Sequence, residues 1–153
     1  MSSDGSSLVF RSVPAHLQLG TADKRVLRDF ARELSDRIAP GRPFCCLITN
    51  DKELRRLNCE FLQHDYPTDV LSFPSAERFG EMGEMAISVE RAEAQAREQE
   101  HSLLDELRVL MLHGILHLSG MDHERDGGKM ARVERKLRNE LGLPDSLIAR
   151  ARK

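Results

Sequence analysis

Three histidines in the last third of the chain have the spacing of a metal site. His113 and His117 are four residues apart, and His123 follows six residues later. Positions i and i+4 of a helix lie on one face, one turn apart, so both rings leave the same side. Gly120 can take a positive φ and end that helix, which allows the chain to turn back and bring His123 to the pair. Three neutral imidazoles with one open coordination position describe a catalytic zinc site.

The same spacing matches the zinc-binding stretch HExxHxxGxxH of the metzincin peptidases. It therefore predicts a zincin-like metal helix. The peptidase motif has a catalytic glutamate where this chain has Gly114, and the loss of that carboxylate disfavours proteolysis. The alternative is a pair of core histidines with an exposed turn histidine, which is disfavoured because burying two polar rings without a shared partner is costly.

The remaining histidines and the cysteines show no ligand spacing. We expect His16 and His101 to be solvated at the surface, and His64 to lie at the surface or to face a cleft. The cysteines form no CxxC pair, which indicates thiols in or near the core rather than sulfur ligands. They are Cys45, Cys46 and Cys59.

Apolar periodicity predicts the elements that must position these residues. The predicted strands are Ser7–Val13, Phe44–Thr49, Val70–Phe73 and Met85–Val89. The first predicted helix begins at an N-cap, Thr21, and is stopped by Pro40. The second begins at Asn50-Asp51 and carries Leu54, Leu57 and Phe61. The other predicted helices are Glu90–Glu100, Leu103–Leu118 and Lys129–Leu141. The last helix carries an apolar stripe and ends at Gly142; the stripe is Met130, Val133, Leu137 and Leu141. This order predicts one α+β domain over residues 1–153, with a small mixed sheet covered by helices and with residues 1–6 flexible.

The amino-acid composition limits the kinds of partner that the protein is expected to bind. Lys and Arg total 23 against 25 for Asp and Glu, so the net charge is −2. Bulk electrostatics do not favour nucleic-acid binding at that charge, and a local basic patch would have to steer such a substrate. The sequence has no apolar run of bilayer length and no basic, then apolar, leader, so we expect neither a membrane partner nor a secretory signal.

Longer stretches of the sequence resemble a known family. HGILHLSGMDH (113–123) resembles the HGxLHLxGyDH motif of the YbeY family of metal-dependent endoribonucleases. LNCEFLQHDYPTDVLSFP (57–74) and MGEMAIS (82–88) resemble that family's second and third blocks. Met130 and Glu134 fall where the family's helix after the motif would place them, and the likeness runs from about residue 44 to residue 143.

The resemblance implies a specific activity and setting. It implies zinc-dependent, single-strand-specific cleavage of RNA in ribosomal RNA maturation, particularly at the 3′ end of the small-subunit RNA, and a role in ribosome quality control. Its partners would be ribosomal RNA and the ribosome or its small subunit, with no DNA, in the cytoplasm of a bacterium. One Zn²⁺ ion would be held by His113, His117 and His123.

Two positions depart from the family pattern. Leu62 stands where the family usually has an arginine that contacts the phosphate, and Glu84 replaces the aspartate of a Gly-Asp pair. Arg55 lies two helical turns before Leu62, roughly 10 Å away, and is either a partial replacement for that cation or an ordinary solvated charge.

Further cleft residues are suggested near the motifs. Asp69 and Ser72 either line a cleft beside the metal or fix the start and edge of a strand. Asp122 either orients a ligand imidazole or bonds its own turn. Zinc would be the main electrophile toward a phosphate oxygen, although Ni²⁺, Co²⁺ or Cu²⁺ could occupy three imidazoles.

Several alternatives stay open at this point. The sequence identifies no general base, and either water or the RNA 2′-hydroxyl could attack. An amide or peptide hydrolase and a ribosome-associated binding module with a structural metal are the competing functions.

Overall fold

A computed structural model describes residues 6–62, 69–75, 80–121 and 127–144 of the chain. Four strands and five α-helices occur in these ranges, with a short 3-10 turn at Ala15–Leu17. The strands are β1 (Ser7–Phe10), β2 (Phe44–Thr49), β3 (Val70–Pro74) and β4 (Gly83–Ser88). The helices are α1 (Thr21–Ile38), α2 (Asp51–Leu62), α3 (Val89–Glu98), α4 (Leu103–Leu118) and α5 (Lys129–Leu141).

The strands form one mixed sheet in the order β1-β2-β4-β3. β1 pairs with β2, and β2 with β4, in parallel, whereas β3 and β4 run antiparallel. The predicted α+β domain with a small mixed sheet covered by helices is therefore confirmed.

The two faces of the sheet carry different helices. Successive strand residues point to opposite faces. Met85 and Ile87 belong to the main core, which the sheet forms with α1, α3, α4 and α5. Ala86 and Leu71 point the other way and pack against Leu54 of α2. The sheet thus separates α4, with its histidines, from α2.

The boundaries of three strands differ from the prediction, and β3 differs only in extending one residue further, to Pro74. The first strand ends at Phe10 and not at Val13, because Ser12 has a φ of 58° that breaks the extended backbone. The fourth strand begins at Gly83, two residues before the predicted start. A side chain at Gly83 would lie 2.3 Å from the carbonyl oxygen of Phe73, so only glycine fits this close approach of two strands.

The helix starts also differ in part. Thr21 is the first residue of α1, and Gly20 is its N-cap without a side-chain hydrogen bond, so the prediction of a threonine cap was wrong. Helix α3 starts at Val89, since the hydroxyl of Ser88 accepts a hydrogen bond from the amide of Arg91 at 3.2 Å. In α2 the predicted cap is confirmed, because Asn50 Oδ1 accepts from the amide of Glu53 at 2.8 Å. Of the helices that the structure describes, none has the length and apolarity to cross a bilayer.

Candidate metal centre

Helix α4 is the central helix of the domain, and its nearly continuous apolar sequence explains why. Ser102 caps its start by accepting a hydrogen bond from the amide of Asp105 at 3.0 Å. All residues from Val109 to Leu116 are buried, so the helix is enclosed on every side along this stretch. His113 lies within this stretch, so the surrounding packing leaves it little freedom to move.

His113 and His117 meet on one face of α4, as their spacing predicts. Their Nε2 atoms lie 3.2 Å apart, and the rings are edge to face with centroids 4.7 Å apart. His113 is buried, whereas His117 is partly exposed. The pair therefore presents two converging nitrogens at the edge of the core, with access from the side of His117.

Glu134 of α5 lies beside the pair. Its Oε2 is 3.1 Å from Nδ1 of His113, and the glutamate has no solvent exposure. The apolar stripe predicted for α5 did not include Glu134. In the structure Val133 is only partly buried, and Glu134 faces the core with Met130 and Leu137. The i, i+4, i+7 spacing of these three residues is the signal that could have found it.

The histidine geometry fits a zinc ion. Tetrahedral zinc with Zn–N distances of about 2.0–2.1 Å holds two ligand nitrogens roughly 3.3–3.4 Å apart. The 3.2 Å between the Nε2 atoms of His113 and His117 is close to that separation. At this distance the two nitrogens either share one proton or bind a common cation. Imidazole nitrogen also suits zinc chemically.

Gly120 ends helix α4 with a positive φ, as the sequence predicts. This glycine has a φ of 100°, and the amide of Met121 donates to the carbonyl of Leu116 at 3.1 Å, as in a Schellman motif. The predicted third ligand His123, with Asp122, lies outside the described residues, and so does His64. Within the described ranges, no group of three His, Cys, Asp or Glu side chains forms a metal cluster.

Gly114 brings α4 close to the sheet. A Cβ at this position would lie 2.9 Å from Sδ of Met85 and 3.4 Å from Cγ2 of Val70. The hydroxyl of Ser72 donates to the carbonyl of Gly114 at 3.3 Å, next to His113 in the chain. The absent side chain thus has a packing reason, and the predicted residue Ser72 ties β3 to the histidine helix.

Asp69 lies at the start of β3, where its carbonyl accepts a hydrogen bond from the amide of Ser88 at 3.0 Å. This contact joins the beginning of β3 to the end of β4. Its backbone therefore serves the strand-fixing function that the sequence also suggested. Its side chain is partly buried.

The structure does not bring Glu84 or Arg55 to the histidine pair. Met85 points at Gly114 of α4, so its neighbour Glu84 points to the opposite face of the sheet. There Glu84 lines a groove of about 350 Å³ together with Leu57 and Phe61 of α2. Arg55 is exposed on α2, the helix that packs on this same face. Leu62 is the last residue of α2.

Two further sequence predictions concern isolated residues. His16 is exposed, as predicted. His101 is not a solvated surface residue: its side chain is 11% exposed, and its Nε2 lies 2.6 Å from Oε1 of the fully buried Glu106.

Burial raises the pKa of the Cys46 thiol far above its ordinary value, and the neighbouring Cys45 adds to this, so Cys46 is a protonated core residue.

Comparison with known proteins identifies the family. The family model described as Endoribonuclease YbeY matches residues 20–142. The chain belongs to the YbeY family. The Endoribonuclease YbeY of Solibacter usitatus is 51% identical over 149 residues, covering 97% of each chain. That of Koribacter versatilis is 53% identical over 107 residues, covering 70% of each chain.

A solved structure has a similar fold. The solution structure of a Thermotoga maritima protein superposes with a TM-score of 0.58 at 26% sequence identity, covering 85% of each chain. The family predicted from the three sequence blocks is confirmed. YbeY proteins are metal-dependent nucleases, and the relatives are named as enzymes that cleave within RNA.

Proposed function

We propose that this member of the YbeY family is an endoribonuclease that cleaves single-stranded RNA with one zinc ion held by His113, His117 and His123. The observation that carries the proposal is the convergence of the Nε2 atoms of His113 and His117 at 3.2 Å. The family's name as an endoribonuclease supports the choice of RNA as substrate.

The described residues would have different roles at such a site. A zinc ion bound there would supply a Lewis acid that polarises a phosphate oxygen. His117 is the more exposed of the two histidines, so a phosphate group would approach from its side. Gly114 presents no carboxylate, and the hydroxyl of Ser72 is engaged with the carbonyl of Gly114. The attacking group is therefore either water or the RNA 2′-hydroxyl.

The proposed biological setting follows from the family. We propose maturation of the small-subunit ribosomal RNA at its 3′ end and ribosome quality control, with the ribosome or its small subunit as partner, in the cytoplasm. Residues 1–153 would act as one domain. With a net charge of −2, the chain would bind RNA through local basic side chains.

The direct test is cleavage of a single-stranded RNA oligonucleotide by the zinc-loaded protein. His117→Ala should abolish cleavage, because it removes one of the two converging nitrogens. The matched control is His16→Ala, which removes an exposed histidine near the start of the chain. This variant should cleave the RNA at the wild-type rate. Cleavage by His117→Ala at the wild-type rate would overturn the proposal.

Two further measurements separate the proposal from its alternatives. His117→Ala should remain folded by circular dichroism while losing activity, whereas a purely structural metal predicts that it unfolds. Turnover of a peptide substrate that disappears in His117→Ala would instead indicate an amide hydrolase.

The same RNA assay tests the departure at position 62. Leu62→Arg should raise kcat/KM by up to about tenfold, because the family resemblance implies an arginine that contacts the phosphate at this position, and a cation there would stabilise the developing charge. Leu62→Met, which adds length without charge, is the control and should leave kcat/KM within about twofold. An unchanged rate for Leu62→Arg would mean that the phosphate is not bound at this position.

A further inference from the structure

Glu134 is an unusual residue for the core of a small domain. It lies on α5 between Met130 and Leu137, with no solvent exposure. Burying a carboxylate is costly unless it is paired, and an apolar residue would pack this stripe at lower cost. One partner that offsets this cost is Nδ1 of His113, 3.1 Å away.

The contact determines which nitrogen of His113 carries the proton. A carboxylate accepts hydrogen bonds, so the ring donates its Nδ1–H to Glu134. The neutral ring then has its acceptor lone pair on Nε2. That lone pair lies 3.2 Å from Nε2 of His117, where both nitrogens converge.

We infer that Glu134 is a positioning residue, which holds His113 in the Nδ1–H form with Nε2 directed at the metal position. This inference rests on the proposed zinc site and names a residue outside the three-histidine motif. The contact also ties the ring of His113 on α4 to a second helix, α5. Such an outer partner fixes the orientation of a ligand ring and raises its basicity.

The chain contains a matched control for this inference. Glu106 is also fully buried and also bonds a histidine, since its Oε1 lies 2.6 Å from Nε2 of His101. Glu134→Gln and Glu106→Gln therefore make the same chemical change in two buried Glu–His pairs. Only the first of these pairs includes a histidine of the converging pair.

The test is the zinc dissociation constant, measured by competition with a chromophoric chelator. Glu134→Gln should weaken zinc binding by about 10- to 100-fold. Glu106→Gln should stay within about twofold of wild type, although both variants lose thermal stability. Equal affinities for Glu134→Gln and wild type would overturn the inference, and wild type that binds no zinc would overturn the proposed function.

A second measurement needs neither zinc nor a variant. Long-range ¹H–¹⁵N spectra of the metal-free wild type report which nitrogen of His113 carries the proton. A proton on Nδ1 supports the inference, and a proton on Nε2 overturns it. This result remains decisive even if Glu134→Gln does not fold.

Discussion

At the scale of single residues, Gly114 distinguishes this site from a peptidase site with the same histidine spacing. From the sequence, the glycine appears only as the loss of a catalytic carboxylate. In the structure, a Cβ there would lie 2.9 Å from Sδ of Met85, whose side chain is 1% exposed and would have to shift. The residue therefore lets α4 approach the sheet, and the position has no room for a general base.

A substitution at this glycine should reveal the packing constraint. Gly114→Glu should lower the free energy of unfolding by about 3 kcal/mol or more, because it overpacks the helix–sheet contact and buries a charge. Gly20→Glu makes the same change in open space at the start of α1, and should cost less than about 1 kcal/mol. Urea denaturation measures both, and a stable Gly114→Glu protein with new peptidase activity would contradict this account.

At the scale of elements, the helices next to the site were the most predictable from sequence. α4 and α5 have the predicted bounds, since one is apolar over most of its length and the other is strongly periodic and ends at Gly142, with a φ of 69°. Short elements were less uniformly predictable, because β2 has the predicted bounds whereas β1, β3 and β4 do not. β1 ends at Phe10 because of the positive φ of Ser12, which no pattern of apolar residues signals.

Helix α2 illustrates how local charge contributes to one element. Glu53 follows the cap Asn50 by three residues, and its Oε1 accepts a hydrogen bond from Nε of Arg56 at 2.5 Å. This bond, with the charges of Arg56 and Arg11, lowers the pKa of Glu53 below its usual value, against a smaller opposing effect of burial.

The lowered pKa predicts a pH-dependent contribution to stability. A carboxyl whose pKa is lower in the folded state stabilises the protein above its unfolded pKa, near 4.5, and loses that contribution as the pH falls through the folded pKa. Glu53→Gln should therefore cost less than about 1 kcal/mol at pH 7, since the pair is partly exposed, and almost nothing at about pH 3. Thermal unfolding across this pH range measures the difference. The cost should shrink in an Arg56→Gln background, and a cost that persists at low pH would contradict the assignment.

At the scale of the whole molecule, the sheet divides the sequence candidates into two groups. His113, His117 and Ser72 come together on the α4 side, whereas Glu84 and Arg55 lie with α2 on the other. Sequence spacing predicts neighbours within one helix, but strand alternation and helix packing decide which candidates from different elements meet. The contact between Glu134 and His113 joins two helices across 21 positions, so the histidine motif alone does not predict it.

The binding of one zinc ion by this arrangement is a proposal that metal stoichiometry can test. The protein is loaded with excess zinc, passed through a desalting column and analysed for metal by mass spectrometry, with His117→Ala and His16→Ala treated in parallel. Wild type and His16→Ala should retain about one equivalent of zinc, and His117→Ala far less. Less than about half an equivalent in the wild type, or equal retention by His117→Ala, would contradict the proposed zinc site.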